Sequence, residues 1–325
     1  MISTEWGLTH EVAAALVATA ILAPSSHNTQ PWVFRVRGPS IGVLADRTRA
    51  LPVNDPDDRE LTISCACALF NLRVAAAQAQ LAATLHAPCN SDDPDCLATL
   101  ELAPATAPDA DLAALYDAVA LRRTYRHIFA DRPVAASVME ALAVAATQEG
   151  AWLHILDSRT QRQQTGELVA EGDEEQWADP AWRRELAAWM HPRRRGDGLT
   201  LPDLALPVAQ AVVRTFDMGY GVAARDIQLA DASPVLAVLG TSGDTLADWI
   251  AAGQALQRLL LTATQHGLQA SFLNQPIEVA SLRTKLRQAT GRSGFAQVLL
   301  RLGHAEKVLP AAPRRPLDEV IEMAE

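Results

Sequence analysis

Ten residues from 23 to 32, APSSHNTQPW, hold two serines, an imidazole and two amides, stiffened by two prolines. So many short polar groups on a stiff segment can line a ligand with several hydrogen bonds, although the same composition also serves a plain helix stop followed by an Asx or Ser turn. A second group, Arg122, Arg123, Thr124, Tyr125 and Arg126, sets three guanidiniums beside a hydroxyl. Planar guanidinium forks bond phosphate oxygens in pairs, so this run suits a phosphate monoester; a solvated basic stretch facing surface carboxylates is the alternative. Arg314 and Arg315, in VLPAAPRRPL, offer one more basic contact.

The rest of the composition removes several chemistries. A formal net charge of -10 over 325 residues argues against nucleic acid or an anionic membrane as partner, so any bound anion needs a local basic cluster. The apolar run 12–23 follows acidic residues rather than basic ones and reads as a buried helix, not a leader; no stretch is expected to cross a bilayer. The expected compartment is the cytoplasm. Cys65 and Cys67, two apart in a helix, face different directions and read as small core residues. Cys89 and Cys96 bracket the acidic NSDDPD and could close a disulfide, but reduced thiols are the expectation. The histidines show no metal-ligand pairing, and no GxSxG is present. GYGVAA at 219–224 fits a dinucleotide fingerprint but lacks a clear strand before it. His27 either touches a ligand or is satisfied by local backbone.

These groups need elements to carry them. Thr9 caps a helix that runs to Ala23 and is stopped by Pro24. WVFRVR at 32–37 is a strand, and an Ala- and Leu-rich helix follows over 60–85, charged little beyond Arg73 and therefore buried nearly all round. A second pass starts near Leu115: a helix from Pro133 through Ala146, a strand at 152–156, another at 234–240, and a long helix ending at Gly267. The repeated order predicts an internal duplication, with halves at 1–110 and 111–325. The second half carries an insertion at about 158–230. Its Pro- and Gly-rich part, 192–207, reads as an ordered loop or lid able to lay Leu201, Leu204 and Leu206 on an apolar ligand face; ordinary loop packing is the alternative.

Three separated motifs resemble the nitroreductase superfamily: RRTYR at 122–126, PSSHNTQPW at 24–32, and a PIEG-like turn at Pro276, Ile277 and Glu278, where Val279 replaces the usual glycine. In that family FMN lies at a dimer interface, one subunit giving the Arg-rich element and the turn, the other the serine and asparagine loop. Here the first half has only the loop and the second only the arginines and the turn. The chain therefore resembles the Acg-like subfamily, in which two fused halves imitate a dimer. The resemblance implies an α+β nitroreductase-like fold, an intramolecular pseudo-dimer, one composite FMN site and a chain complete as a monomer.

It also implies roles for individual residues. Arg122, Arg123 and Thr124 would hold the FMN phosphate, helped by Arg314 or Arg315. Pro24, Ser25, Ser26 and Asn28 would line the isoalloxazine and ribityl region. Arg126 would lie near the pyrimidine end, where positive charge favours the reduced, anionic flavin. The turn at Pro276, Ile277 and Glu278 would offer a backbone N–H to the reactive flavin nitrogen. No side chain is expected to act as nucleophile or metal ligand. The implied activity is NAD(P)H-dependent reduction of a nitroaromatic or quinone-type small molecule, with flavin binding or storage in a closed site as the alternative.

Overall fold

A computed structural model describes residues 7–89, 93–107 and 109–324. The first half comprises α1 (His10–Ala20), β1 (Trp32–Arg37), β2 (Ser40–Ala45), α2 (Arg59–Gln78), β3 (Leu81–His86) and β4 (Cys96–Pro104). Two short helices, α3 (Ala110–Ala113) and α4 (Tyr116–Leu121), lead into the arginine segment. The second half opens with α5 (Ala136–Gln148) and β5 (Trp152–Ile155). The insertion adds α6 (Arg159–Ala178), α7 (Pro180–Ala188), β6 (Met190–Pro192), β7 (Leu199–Leu201), α8 (Leu206–Thr215) and α9 (Gly219–Asp231). The chain then resumes with β8 (Val235–Thr241), α10 (Leu246–Gln265), β9 (Gln269–Phe272), α11 (Gln275–Glu278), α12 (Ala280–Thr290), β10 (Phe295–Gly303) and β11 (Ile321–Met323).

One sheet runs β11-β1-β2-β4-β3 and another β5-β8-β10-β9. The last strand of the chain thus joins the sheet of the first half, parallel to β1, with Phe34 opposite Ile321. Between the sheets lie α2 and α10. Every residue of α2 except Arg73 and Gln78 is buried, as the near absence of charge predicts. By length and apolarity α2 could also cross a membrane, contrary to the expectation from sequence, but it forms the centre of this core. The two helices touch where Gly253 of α10 lies against the Ile63 carbonyl and the Ala66 methyl, so closely that a Cβ at Gly253 would overlap both. Cys67 Sγ donates to Gly253 O at 3.2 Å, and Gln257 Nε2 to Asn71 Oδ1 at 2.7 Å. Both buried amides thereby gain a partner across the joint between halves.

Local signals set several boundaries. Thr9 caps α1 by accepting from Val12 N, although the helix ends at Ala20 rather than Ala23. Thr245 and Asp248 form a reciprocal capping box on α10, and Gly267, at φ 73°, follows its end. The helix expected over 60–85 stops at Gln78. Gln80 turns into the left-handed region, and Leu81–His86 pairs with β4 as an edge strand, so tertiary pairing overrides the helical preference of LAATLH. Cys89 and Cys96 form a disulfide, with Cα atoms 5.9 Å apart, rather than the expected free thiols. Cys89 N donates to Leu97 O, which closes the hairpin end and brings the sulfurs together. Cys65 and Cys67 are buried and free. GYGVAA opens α9 with α8 before it, not a strand, which removes the dinucleotide reading.

The insertion is mostly helical; in its Pro- and Gly-rich part Leu204 is 96% exposed, while Leu201 and Leu206 are half-buried at the end of β7 and the start of α8. The α2/α10 joint gives a direct test. Gly253→Ala improves helix propensity but forces overpacking, and should cost about 1–3 kcal/mol in urea unfolding. Gly166 on α6 has nothing within 4 Å of a would-be Cβ, so Gly166→Ala should gain up to about 1 kcal/mol. Equal effects from the two would mean that the crossing is loose.

Candidate functional site

Pro24 ends the α1 exit, and the next residues curl into a tight 3-10 turn over Ser26–Asn28. His27, Asn28 and Gln30 all hold positive φ, at 49°, 55° and 52°. Non-glycine residues adopt this region at a cost, so surrounding bonds must fix it. Ser25 Oγ accepts from Gln30 N at 3.0 Å. Ser26 N donates to Ser64 Oγ, and Ser26 Oγ to Glu60 Oε2 at 2.6 Å, which anchors the turn to the start of α2. Asn28 Nδ2 donates to Gly198 O and Pro313 O. Fully buried Gln30 donates to Gly196 O and accepts from Arg315 N.

Arg122 and Arg314 converge on the α1 exit and this loop from the other half, with Arg123 beside them. Arg122 Nη2 donates to Leu22 O at 3.2 Å. Arg314 donates to the carbonyls of Ile21, Leu22 and Ala23 and to Asn28 Oδ1. These carbonyls close α1, where the helix dipole draws cations. Arg123 bonds Ala120 O, Arg122 O and Leu309 O. None of these contacts is to a carboxylate. Burial and the neighbouring guanidiniums lower Arg314 to about 9, and burial with Arg123 alongside lowers Arg122 to about 10. Arg122 is 7% exposed, and its Nε finds no partner among the described residues. An anion with several acceptor oxygens fits this cluster, because it would supply both the missing counter-charge and the missing acceptor.

The strand-like pairing of the arginine segment explains its position. Thr124 bridges Ala270, Tyr125 N donates to Ala270 O at 2.8 Å, and Tyr125 stacks on Phe129 at 5.3 Å. Beneath it, buried Arg301 donates to the carbonyls of Tyr125 and His127. Arg126 reaches the surface, yet the protein around it lowers its pKa by desolvation. Its charge also acts on His27, which burial, opposed by Glu60 and assisted by Arg126, lowers to about 4. His27 is thus a neutral imidazole near pH 7. Its Nδ1 is buried without a partner among the described residues, so local backbone does not satisfy it.

Two sequence expectations meet a different geometry. Arg315 turns away from the basic cluster: it bonds Gln30 O, Trp32 O and Glu319 O and pairs with Asp46 at 3.4 Å, fastening the C-terminal segment to β1. The PIEG-like turn is a helical turn, α11. Ile277 N and Glu278 N both donate to Asn274 O, so these N–H groups are already spent inside the turn, and Pro276 has none. Glu278 instead points its side chain into a buried acidic group. Gln176 Nε2 of α6 donates to Glu278 Oε2 at 2.6 Å. Burial and the charge of Glu60 raise Glu278 to about 8 and Asp55 to about 6.

Several groups were missed in the sequence. Glu60 looked like one acid in a helix start. Gly196, Asp197 and Gly198 looked like part of a lid, yet they clasp the loop: Gly198 N donates to Asn28 O, and Asp197 pairs with Arg49, which in turn donates to Thr29 O. The two glycines are the available signal, both at positive φ and both too tightly packed to carry a Cβ.

Two fused α+β halves that assemble a basic cluster and a serine and asparagine loop across their joint define a pseudo-dimeric nitroreductase fold. Comparison with known proteins agrees. The chain is 32% identical over 324 residues to the Mycobacterium tuberculosis protein named "Putative NAD(P)H nitroreductase Rv3131", covering 97% of this chain and 92% of that one. It is 29% identical over 325 residues to the same organism's "Putative NAD(P)H nitroreductase acg", covering 97% of each. No family model matches. Among solved structures, the FMN and NADPH-dependent nitroreductase NfnB of a Sphingopyxis strain aligns over 65% of this chain and 99% of its own, at 20% identity and a TM-score of 0.45. The first of these relatives shows the family: the chain belongs to the NAD(P)H nitroreductases.

The raised acid makes a prediction about pH. Glu278 titrates near 8 in the folded chain against an ordinary 4.5, so the native state binds the extra proton between those values. Stability therefore falls as pH rises from about 4.5 to about 8 and is flat above that. Glu278→Gln removes this loss: its melting temperature should match the parent near pH 5 and exceed it near pH 9. A difference that does not grow with pH would contradict the raised value.

Proposed function

We propose that this chain binds one FMN in the composite site and uses NAD(P)H to reduce a small nitroaromatic or quinone-type acceptor. The observation that carries this reading is the cluster of Arg122, Arg123 and Arg314, which among the described residues lacks a carboxylate partner and an acceptor for Arg122 Nε, beside the serine and asparagine loop. A phosphate monoester would take Arg122, Arg123 and Arg314, with Thr124 next to them. Ser25, Ser26 and Asn28 would line the flavin with the neutral imidazole of His27, and Arg126 would set a positive charge close by. When bound, FMN supplies the two-electron chemistry; the protein fixes its orientation and surroundings. The substrates are small molecules, with no nucleic acid, membrane or obligate partner chain required. The cytoplasm, where NAD(P)H is available, is the compartment this reading implies.

The clasp by Gly196 to Gly198 favours a second reading, a flavin-holding protein with little turnover. These residues bond Asn28 and Gln30 directly, so the insertion limits how the loop can open. The two readings separate in an anaerobic stopped-flow measurement. An enzyme bleaches rapidly with NADH or NADPH, whereas an occluded holder bleaches with dithionite and only slowly with either nucleotide.

Flavin titration tests the phosphate site. A charge-assisted hydrogen bond lost from a buried site costs roughly 1.5–3 kcal/mol, so Arg122→Ala should weaken FMN about 10- to 100-fold. Riboflavin, which has no phosphate, should respond little. Equal losses for both ligands would give Arg122 a role in the fold instead.

A further inference from the structure

Glu60 lies in the first turn of α2 and is 4% exposed. Its carboxylate joins segments that come from opposite halves. Oε2 accepts from Ser26 Oγ at 2.6 Å; Oε1 accepts from Asn274 Nδ2 at 3.1 Å and from Arg59 Nη2 at 3.4 Å. Ser26 belongs to the loop of the first half, and Asn274 caps α11 in the second. A buried carboxylate needs such donors, since losing them leaves the charge unsolvated.

All three contacts use Glu60 as the acceptor. Burial and its negative charge together raise Glu278 and Asp55 above the ordinary carboxyl range. A hydroxyl has one proton to donate and two lone pairs. With that proton committed to Glu60, Ser26 Oγ has only lone pairs for another partner. Asn274 is fixed in the same way: its Oδ1 accepts from Leu299 N at 3.0 Å while its Nδ2 serves Glu60, so its amide cannot flip without losing both bonds.

We infer that Glu60 is a positioning residue of the flavin site: it makes Ser26 an acceptor for an N–H of the bound ring and ties the loop to the α11 turn. The inference rests on the FMN reading above. The N–H it selects is the imide at the pyrimidine edge. That donor is the only N–H of the oxidised ring, and it is present in both redox states.

The test titrates FMN and riboflavin into the parent, Glu60→Gln, Ser26→Ala and the double variant, following fluorescence, with circular dichroism to check the fold. Glutamine keeps the size but replaces one acceptor oxygen with a donor, so it cannot serve Ser26 and Asn274 together. Glu60→Gln should weaken both flavins alike, about tenfold, because the contact is to the ring. The double variant should bind about as well as Glu60→Gln alone, as expected for residues acting through one contact. Unchanged binding in Glu60→Gln, or losses that add in the double variant, overturns the inference and leaves the FMN reading standing. A parent that binds neither flavin removes both. Riboflavin methylated at the imide nitrogen gives a measurement independent of how Glu60→Gln folds. It should bind the parent about tenfold more weakly than riboflavin, and Ser26→Ala equally well; equal affinity for the parent overturns the inference.

Discussion

The joint between α2 and α10 sets the relation between all other parts. At Gly253 the absence of a side chain lets one backbone meet the other, and the Asn71 and Gln257 amides bond across the same interface. Each helix feeds a different part of the site. The start of α2 delivers Glu60 and Ser64 to the loop at 24–30, while α10 ends at Gln265 and passes through Gly267 into β9, which receives the arginine segment at Ala270. A shift along this crossing would move the arginine cluster and the serine and asparagine loop relative to one another. The return of β11 to the sheet of the first half closes the arrangement from the far end of the chain.

Charge is sorted along the loop that this joint positions. Arginines crowd the carbonyl end of α1, and carboxyls crowd the start of α2. Burial acts on them in opposite senses, lowering Arg122 and Arg314 and raising Asp55 and Glu278. The loop between them is held in strained conformations at His27, Asn28 and Gln30 by bonds from both halves and from the insertion. A protein of net charge -10 can thus present a site for an anion, because the field that matters is local.

Much of the fold was legible in the sequence. The charge-poor helix expected over 60–85, found at Arg59–Gln78, the WVFRVR strand and the Thr9 cap came from patterns that depend on near neighbours, and the architecture of two halves came from their repetition. What could not be read depends on distant partners. LAATLH becomes a strand because β4 lies beside it, and the cysteines bond because Cys89 meets Leu97. Within the site, Arg122 and Arg314 reach the α1 exit that leads into the loop, while Arg123 bonds carbonyls of its own segment and Leu309. The outward turn of Arg315 and the internal bonds of Ile277 and Glu278 did not follow from the motifs, since adjacent arginines alternate in direction along extended chain and a four-residue helix uses its own N–H groups. Glu60 escaped notice because its partners lie 34 and 214 residues away.

The central claim is that one chain, through its internal joint, builds one complete flavin site. The most direct measurement is light scattering with flavin absorbance on the FMN-saturated protein at decreasing concentration. The account predicts one FMN per chain, retained when the scattering mass is that of a single chain. Two flavins per chain, or flavin released as the species becomes monomeric, would contradict it.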